Sequence, residues 1–171
     1  MDQANITIPL DLNGGRSELE FERPRGISHL EVRTGFAQLQ VQEIPEPLLD
    51  HRLEVLRRLS ESGISIDFLK FTQEGLSCVV AQEDAVRIQG ALEGVPGRVS
   101  VLPDRSILLV HAVNMRDEEG LAARVVSLAI ASGAPLEQIG DMHDRILIVT
   151  TAEGAVRIQS ELEKSGEALA R

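Results

Sequence analysis

EDAVRIQGALEG, Glu83 to Gly94, returns 70 residues later as EGAVRIQSELEK, Glu153 to Lys164, with 8 of 12 positions identical. A period near 70 in a chain of 171 residues is too long for a solenoid repeat and long enough for a small module. The doubled segment therefore reads as the same helix in two copies of one module. In the first copy Ala85, Ile88 and Leu92 point inward, with Val86 as a further apolar position; Val156, Ile158 and Leu162 repeat the pattern. Arg87 and Gln89, like Arg157 and Gln159, are expected to face solvent or the other module.

Upstream of the first copy, ISHLEV (Ile27 to Val32) reads as a short strand, RTG as a turn and FAQLQVQEI (Phe36 to Ile44) as a longer strand. Its Ala37, Leu39 and Val41 alternate with Gln38, Gln40 and Gln42, the pattern of a sheet with one wet face. PEPLLD breaks the strand, Asp50 serves as N-cap, and a helix over Leu49 to Ser62 aligns Leu49, Leu53, Leu56 and Leu59 before Gly63 stops it. Burial of each leucine is worth about 1.5–3 kcal/mol. ISIDFLKF and LSCVVA are two further strands, joined by TQEG, and the first AVRIQ helix leads to RVSVL and the turn PDR. The same order then recurs: ILLVHAV, the helix of GLAARVVSLAIASG with Gly133 in the place of Gly63, the strands of PLEQIG and RILIVTT, and the second AVRIQ helix. Antiparallel strands with two helices in this order make an α+β sandwich of ferredoxin-like βαββαβ modules.

Each such module needs a fourth strand, and the tail SGEALAR supplies none. Either each unit uses the strand ahead of it, or RVSVL completes the first unit while ISHLEV crosses to the second; the crossed version would interlock the modules by an exchanged strand. Three regions follow: an N-terminal β-hairpin extension over 1–26, with Asn13 to Gly15 as its turn; a first module over 27–102; and a second over 103–171.

Composition narrows the function. A net charge of −10 excludes a general affinity for nucleic acid or anionic membranes, which needs clustered Lys and Arg. Four Phe and no Trp or Tyr leave little to stack on a base or flat cofactor, so no cofactor is expected. The single Cys78 lies in an apolar strand as inert core; with no signal-like start and no long apolar run, the chain reads as cytoplasmic. His29, His51, His111 and His143 show no ligand spacing on one helix, so no metal is expected; only the fold could bring them together. His143 with Asp141 and Asp144 reads as a polar hairpin turn, and no nucleophile elbow or Walker loop is present.

The segments ISHLEVRTGFAQLQV, IPEP and LRRLSESGISIDFL resemble the tandem regulatory ACT domains at the C-terminus of aspartate kinases, as do LPDRSILLVHAVNM, EEGLAARV, ASGAPLEQI and RILIV. The resemblance spans about Ile27 to Lys164 without the Gly-rich lysine segment of the kinase, so aspartate phosphorylation is not expected. It implies an interlocked pair of modules and an effector amino acid bound between modules, near the loop after the first strand and the start of the second. In the first unit the implied positions are Pro45, Glu46 and Pro47, followed by Leu48 and Leu49 where the family has glycine and a small contact, with Ser65 and the acidic Asp67 on the strand. In the second they are Met115, Arg116, Asp117, Glu119, Gly120, Leu121 and Ala122, with Glu137 as the acid and Pro135 ahead of it. Helix N–H groups would take a ligand carboxylate and the acid its ammonium group. Asp117, Glu118 and Glu119 cap the helix N-terminus and favour a basic amino acid or a cation over an acidic ligand.

The first helices differ: 4 of 12 residues from His51 to Ser62 are apolar, against 9 of 11 from Leu121 to Ala131. The second is expected in an intra-chain or homodimer interface, or under the hairpin. The resulting expectation is a non-catalytic regulatory protein that binds a small effector, an amino acid, and modulates an amino-acid biosynthetic enzyme or its own assembly. Its alternatives are an interaction protein with closed pockets and a regulatory subunit of aspartate kinase.

Overall fold

The structure, a computed structural model, describes residues 26–113 and 119–166. The expected hairpin, together with Met115, Arg116 and Asp117, lies outside the described residues. The elements run β1 (Gly26–Gln42), α1 (Leu48–Glu61), β2 (Ile66–Thr72), β3 (Gly75–Ala81), α2 (Ala85–Ala91), β4 (Arg98–Val113), α3 (Leu121–Ala131), β5 (Gln138–Asp141), β6 (Arg145–Thr151) and α4 (Ala152–Lys164). Six strands form one antiparallel sheet in the order β2-β3-β1-β4-β6-β5, an α+β fold.

RTG and PDR are not chain reversals. Each lies inside a continuous strand, β1 or β4, and the two interruptions face each other: the register shifts between Arg33 and Phe36, where Phe36 pairs with Arg105, and again before Gln38 pairs with Leu102. Two turn-like segments set side by side become paired irregularities, because each strand supplies the ladder that lets the other continue. The first part of β1, Gly26 to Arg33, pairs with Ile107 to Val113, and its second part, Gln38 to Gln42, with Arg98 to Leu102. Beyond the interruption β1 also pairs with β3, while β4 pairs with β6.

Two cores lie under the helices. Ala37, Leu39, Val41, Leu76, Cys78 and Val80 pack beneath Val55, Leu59, Ile88 and Leu92; Val99 and Val101 lie against them. Leu108, Val110, Ala112, Ile146 and Ile148 pack beneath Leu121, Val125, Ala129, Ala155, Ile158 and Leu162, and Ile27 joins this second core. A third cluster, Val79, Ile107, Leu109, Leu147 and Val149 with Phe36 and Phe68, occupies the opposite face of the sheet. There β2 and β5 meet: a Cβ on Gly140 would stand 2.6 Å from Phe68 Cζ, so any side chain there would have to displace the Phe68 ring.

Several expectations are corrected by this packing. The buried stripe of α1 is Val55 and Leu59 with Leu48 partly covered, whereas Leu49 and Leu53 are 63% and 55% exposed and Leu56 is half-buried. The helix starts one residue earlier than expected, with Pro47 rather than Asp50 at the N-cap. Arg52 takes an inward position that a leucine stripe would have claimed: its guanidinium reaches the carbonyls of Thr72, Gln73 (3.3 Å) and Gly75 (3.1 Å) and lies 5.1 Å from the Phe71 ring centroid. Arginine thus ties α1 to the β2–β3 turn while its stem covers apolar surface.

In the doubled AVRIQ helices, Ile88, Leu92, Ile158 and Leu162 are buried, but Val86 and Val156 are exposed at 80% and 66%. Both lie two residues before a buried isoleucine, and two residues along a helix turn a side chain to the far side. Arg87 and Arg157 do not reach across the molecule. Arg87 donates to the Ser62 carbonyl and to Asp84 Oδ1 (2.6 Å), and Arg157 donates to the Gly133 carbonyl (3.4 Å). Each repeated arginine thus meets the unpaired carbonyls where the preceding helix of its own half ends, at the left-handed Gly63 and Gly133 (φ 65° and 67°).

Candidate effector site

The face of the sheet away from the helices is not wet at its centre. Gln38 is 1% exposed, and its Nε2 donates to Ser77 Oγ at 2.9 Å and towards Gln138 Oε1 at 3.4 Å. Ser77 Oγ donates to the same Gln138 oxygen at 3.1 Å. Gln138 opens β5, so the triad joins three strands, β1, β3 and β5, across the contact between the two halves. Gln38 Oε1 and Gln138 Nε2 remain buried without a partner. Turning both amides over exchanges the matched and unmatched ends but still leaves one donor and one acceptor, so the mismatch does not depend on amide orientation. Orphaned groups of this kind cost about 1–3 kcal/mol each unless something satisfies them.

The triad forms the floor of a cleft of about 200 Å³ that is also lined by Gln40, Gln42, Lys70, Thr72, Leu76 and Glu137. A more open basin of about 450 Å³ adjoins it through Gln42 and Thr72. Glu137 accepts from Arg105 Nη2 at 3.2 Å, both side chains being largely buried, and Arg105 Nη1 donates to the Pro103 carbonyl at 2.8 Å. Arg105 Nε is buried without a partner. Lys70 is exposed at the rim and makes no ion pair among the described residues. The cleft therefore offers an ammonium, a carboxylate and two amides of opposite hydrogen-bonding sense within one small volume.

The loops carrying the other expected residues are arranged differently. Glu46 turns back so that its Oε2 accepts from the Leu48 N–H at 2.9 Å, which occupies one of the free donors at the α1 N-terminus. His51 Nδ1 lies 2.9 Å from the Pro45 carbonyl. Pro45, Glu46, Pro47, Ser65 and Asp67 are all exposed. At α3 the N-cap is Gly120 in the left-handed region (φ 78°), with no side-chain cap among the described residues. Leu121 is fully buried, Glu119 and Ala122 are exposed, and Arg124 donates to the Glu119 carbonyl at 3.0 Å. Of the expected acids among the described residues, only Glu137 lines the cleft. Gln38 was missed because glutamine alternating with aliphatics reads as a solvent face, and Ser77 and Gln138 because nothing in their own strands marks them.

The arrangement of strands and helices decides the comparison with solved proteins. The fold is that of the aspartate kinase regulatory subunit. The regulatory subunit from Thermus flavus superposes with a TM-score of 0.74 at 19% identity, over 83% of this chain and 99% of that one. The ligand-free regulatory subunit from Thermus thermophilus gives 0.71 at 20% identity, over 81% and 97%. Escherichia coli aspartokinase III, solved in complex with lysine and aspartate, matches with a TM-score of 0.64 at 15% identity; the match covers 84% of this chain but 34% of that one. No family model matches the sequence, and no curated protein matches it either. Among the described residues no helix is long and apolar enough to cross a membrane.

Proposed function

We propose that this chain is a non-catalytic regulatory protein of the ACT type, built from two ferredoxin-like modules that exchange strand ends through β1 and β4, and responsive to a free amino acid. The observation that carries the reading is the match of nearly the whole of two stand-alone regulatory subunits to this fold. The cleft between the halves supports the effector. An amino acid there would place its carboxylate towards Lys70 and the amide donor, and its ammonium towards Glu137 and the amide acceptor. Binding at a contact between halves changes their relative packing, and through it a partner enzyme or a homodimer. The outer face of α3, where Ile130 is 63% exposed, is the surface such a dimer would cover. The loop ahead of α3, with Glu119, Gly120, Leu121 and Ala122, is the second place an effector would enter.

A thermal-shift screen of the twenty amino acids tests this. A ligand at about 100 times its dissociation constant stabilises by about 2.7 kcal/mol, which raises Tm by several degrees. Loss of the shift in Gln138→Leu or Glu137→Ala, with Gly120→Leu unaffected, places the effector in the cleft; the reverse places it at the loop. No shift with any amino acid at millimolar concentration sinks the sensing function. A second reading, an interaction protein with closed pockets, is favoured at the first loop by the Glu46 carboxylate on the α1 N–H and by exposed Leu49 and Leu53. It predicts an unliganded, stable assembly that Leu53→Glu dissociates.

A further inference from the structure

His29 and His111 stand directly opposite each other on β1 and β4. Their rings stack with centroids 3.9 Å apart and 12° between planes. Glu31 lies two residues after His29 on the same strand, hence on the same face, and its Oε2 is 3.3 Å from His111 Nε2. The three side chains each offer one ligand atom, and these atoms all lie within 4.8 Å of one another. Ligands held about 2.0–2.2 Å from a tetrahedral Zn²⁺ lie about 3.4 Å from each other, so the His111–Glu31 pair already has that spacing, while the exposed His29 ring, stacked on His111, has to turn its plane towards the cation to ligate. Sequence spacing on any one element could not show this; cross-strand register does.

The surroundings suit a bound cation. Arg33 Nε donates to the other Glu31 oxygen, Oε1, at 2.7 Å, which orients the carboxylate with Oε2 directed at His111. Arg145, opposite His111 on β6, is neutralised by Asp144 through two contacts of 2.8 and 2.7 Å. Ser28 Oγ lies 3.4 Å from His29 Nδ1 and donates to the His111 carbonyl at 3.1 Å, so it joins the two strands beside the pair.

We propose that His29, His111 and Glu31 form a site for one divalent cation of the borderline class, Zn²⁺ or a metal of similar ligand preference, with a water completing the tetrahedron. Two imidazoles and one carboxylate are a donor set that Zn²⁺ accepts and Mg²⁺ and Ca²⁺ do not favour. The cation cross-links β1 to β4, pinning the first part of β1 to the half that contains Ile27 in its core. It lies apart from the polar cleft, whose lining shares no residue with it.

The test uses the full chain stripped with EDTA and titrated with Zn²⁺ by calorimetry and with Co²⁺ by visible absorption. One equivalent should bind, raise Tm, and give the intense d–d bands of four-coordinate Co²⁺. His29→Ala, His111→Ala and Glu31→Gln should each weaken binding at least tenfold, while His51→Ala and His143→Ala leave it unchanged. His29 is exposed, so His29→Ala and Glu31→Gln keep the test open should His111→Ala misfold. No stoichiometric binding by the wild-type chain, or binding that survives His29→Ala and Glu31→Gln, overturns the site.

Discussion

On the sheet face between the halves, the second half presents aliphatic pairs where the first presents pairs that carry Gln38, Gln40 and Ser77. Ile107 pairs with Val149 and Leu109 with Leu147, all buried. At the matching ladder positions Gln38 pairs with Val79 and Gln40 with Ser77. Two copies of one backbone therefore meet with unlike chemistry. Had both faces been aliphatic, the contact would have sealed into a dry core; the amides and hydroxyl hold it open as a cleft. The same asymmetry runs through the helices, where α1 buries Val55 and Leu59 and matches them with Val125 and Ala129 in α3. Where the copies agree they build the fold, and where they differ they leave the polar cleft.

The largest effect should come from breaking the aliphatic side. Leu147 is 4% exposed between Leu109 and its neighbours, and Leu147→Ala should destabilise by about 2–5 kcal/mol in a denaturant titration, because the cavity adds to the lost transfer energy. Its counterpart by register is Ser77, and Ser77→Ala removes a donor to Gln138 and an acceptor for Gln38 with little change of volume. That substitution should cost less, about 1 kcal/mol. Equal losses at the two positions would mean that the halves are not packed differently after all.

Much of the fold is legible in the sequence. The duplicated AVRIQ segment, the glycines closing α1 and α3 and the alternating apolar residues of β1 identified the helices and the inner side of the sheet. Three features escaped. RTG and PDR carry turn residues, but a turn differs from a paired irregularity only through the strand opposite, which lies about seventy residues away in sequence. Leu49 and Leu53 match a helical stripe as well as Leu48, Val55 and Leu59 do, and only docking selects between two stripes one residue apart. Gln38 is read as wet because a single strand does not reveal that a second sheet face covers it. The candidate site suffers most, since its floor consists of three residues from β1, β3 and β5.

An effect smaller than that of Leu147→Ala should follow from converting the polar side towards the aliphatic one. Gln38→Leu leaves Ser77 and Gln138 short of a partner and should cost about 1–3 kcal/mol. Gln38→Leu combined with Gln138→Leu removes the mismatch together with the amides, and the pair should be less destabilised than the sum of the single variants. A double-mutant cycle reads the coupling directly. Strict additivity would show that the amides act separately and that the cleft floor is not one hydrogen-bonded unit.

The smallest effect concerns the helix-covered face, where Cys78 stands in the first half at the ladder position of Ile148 in the second: Leu39 pairs with Cys78 as Leu108 pairs with Ile148. Burial pushes the Cys78 thiol up to about 12 from an ordinary 9.0. Below the ordinary value both folded and unfolded chains hold the proton and this group contributes no pH dependence. Above it the unfolded chain releases the proton while the folded chain keeps it, so the unfolded state binds fewer protons and stability falls as pH rises from 9.0 towards about 12. Cys78→Val removes the thiol without adding an ionisable group, and its stability between those pH values should decline less than that of the wild type. Maleimide labelling of the native chain should be slow at pH 8 and rapid only in denaturant, since the thiolate is the nucleophile and the folded chain withholds it. Fast native labelling would place Cys78 at an opening between the strands and the helices, and the first core would then be the looser of the two.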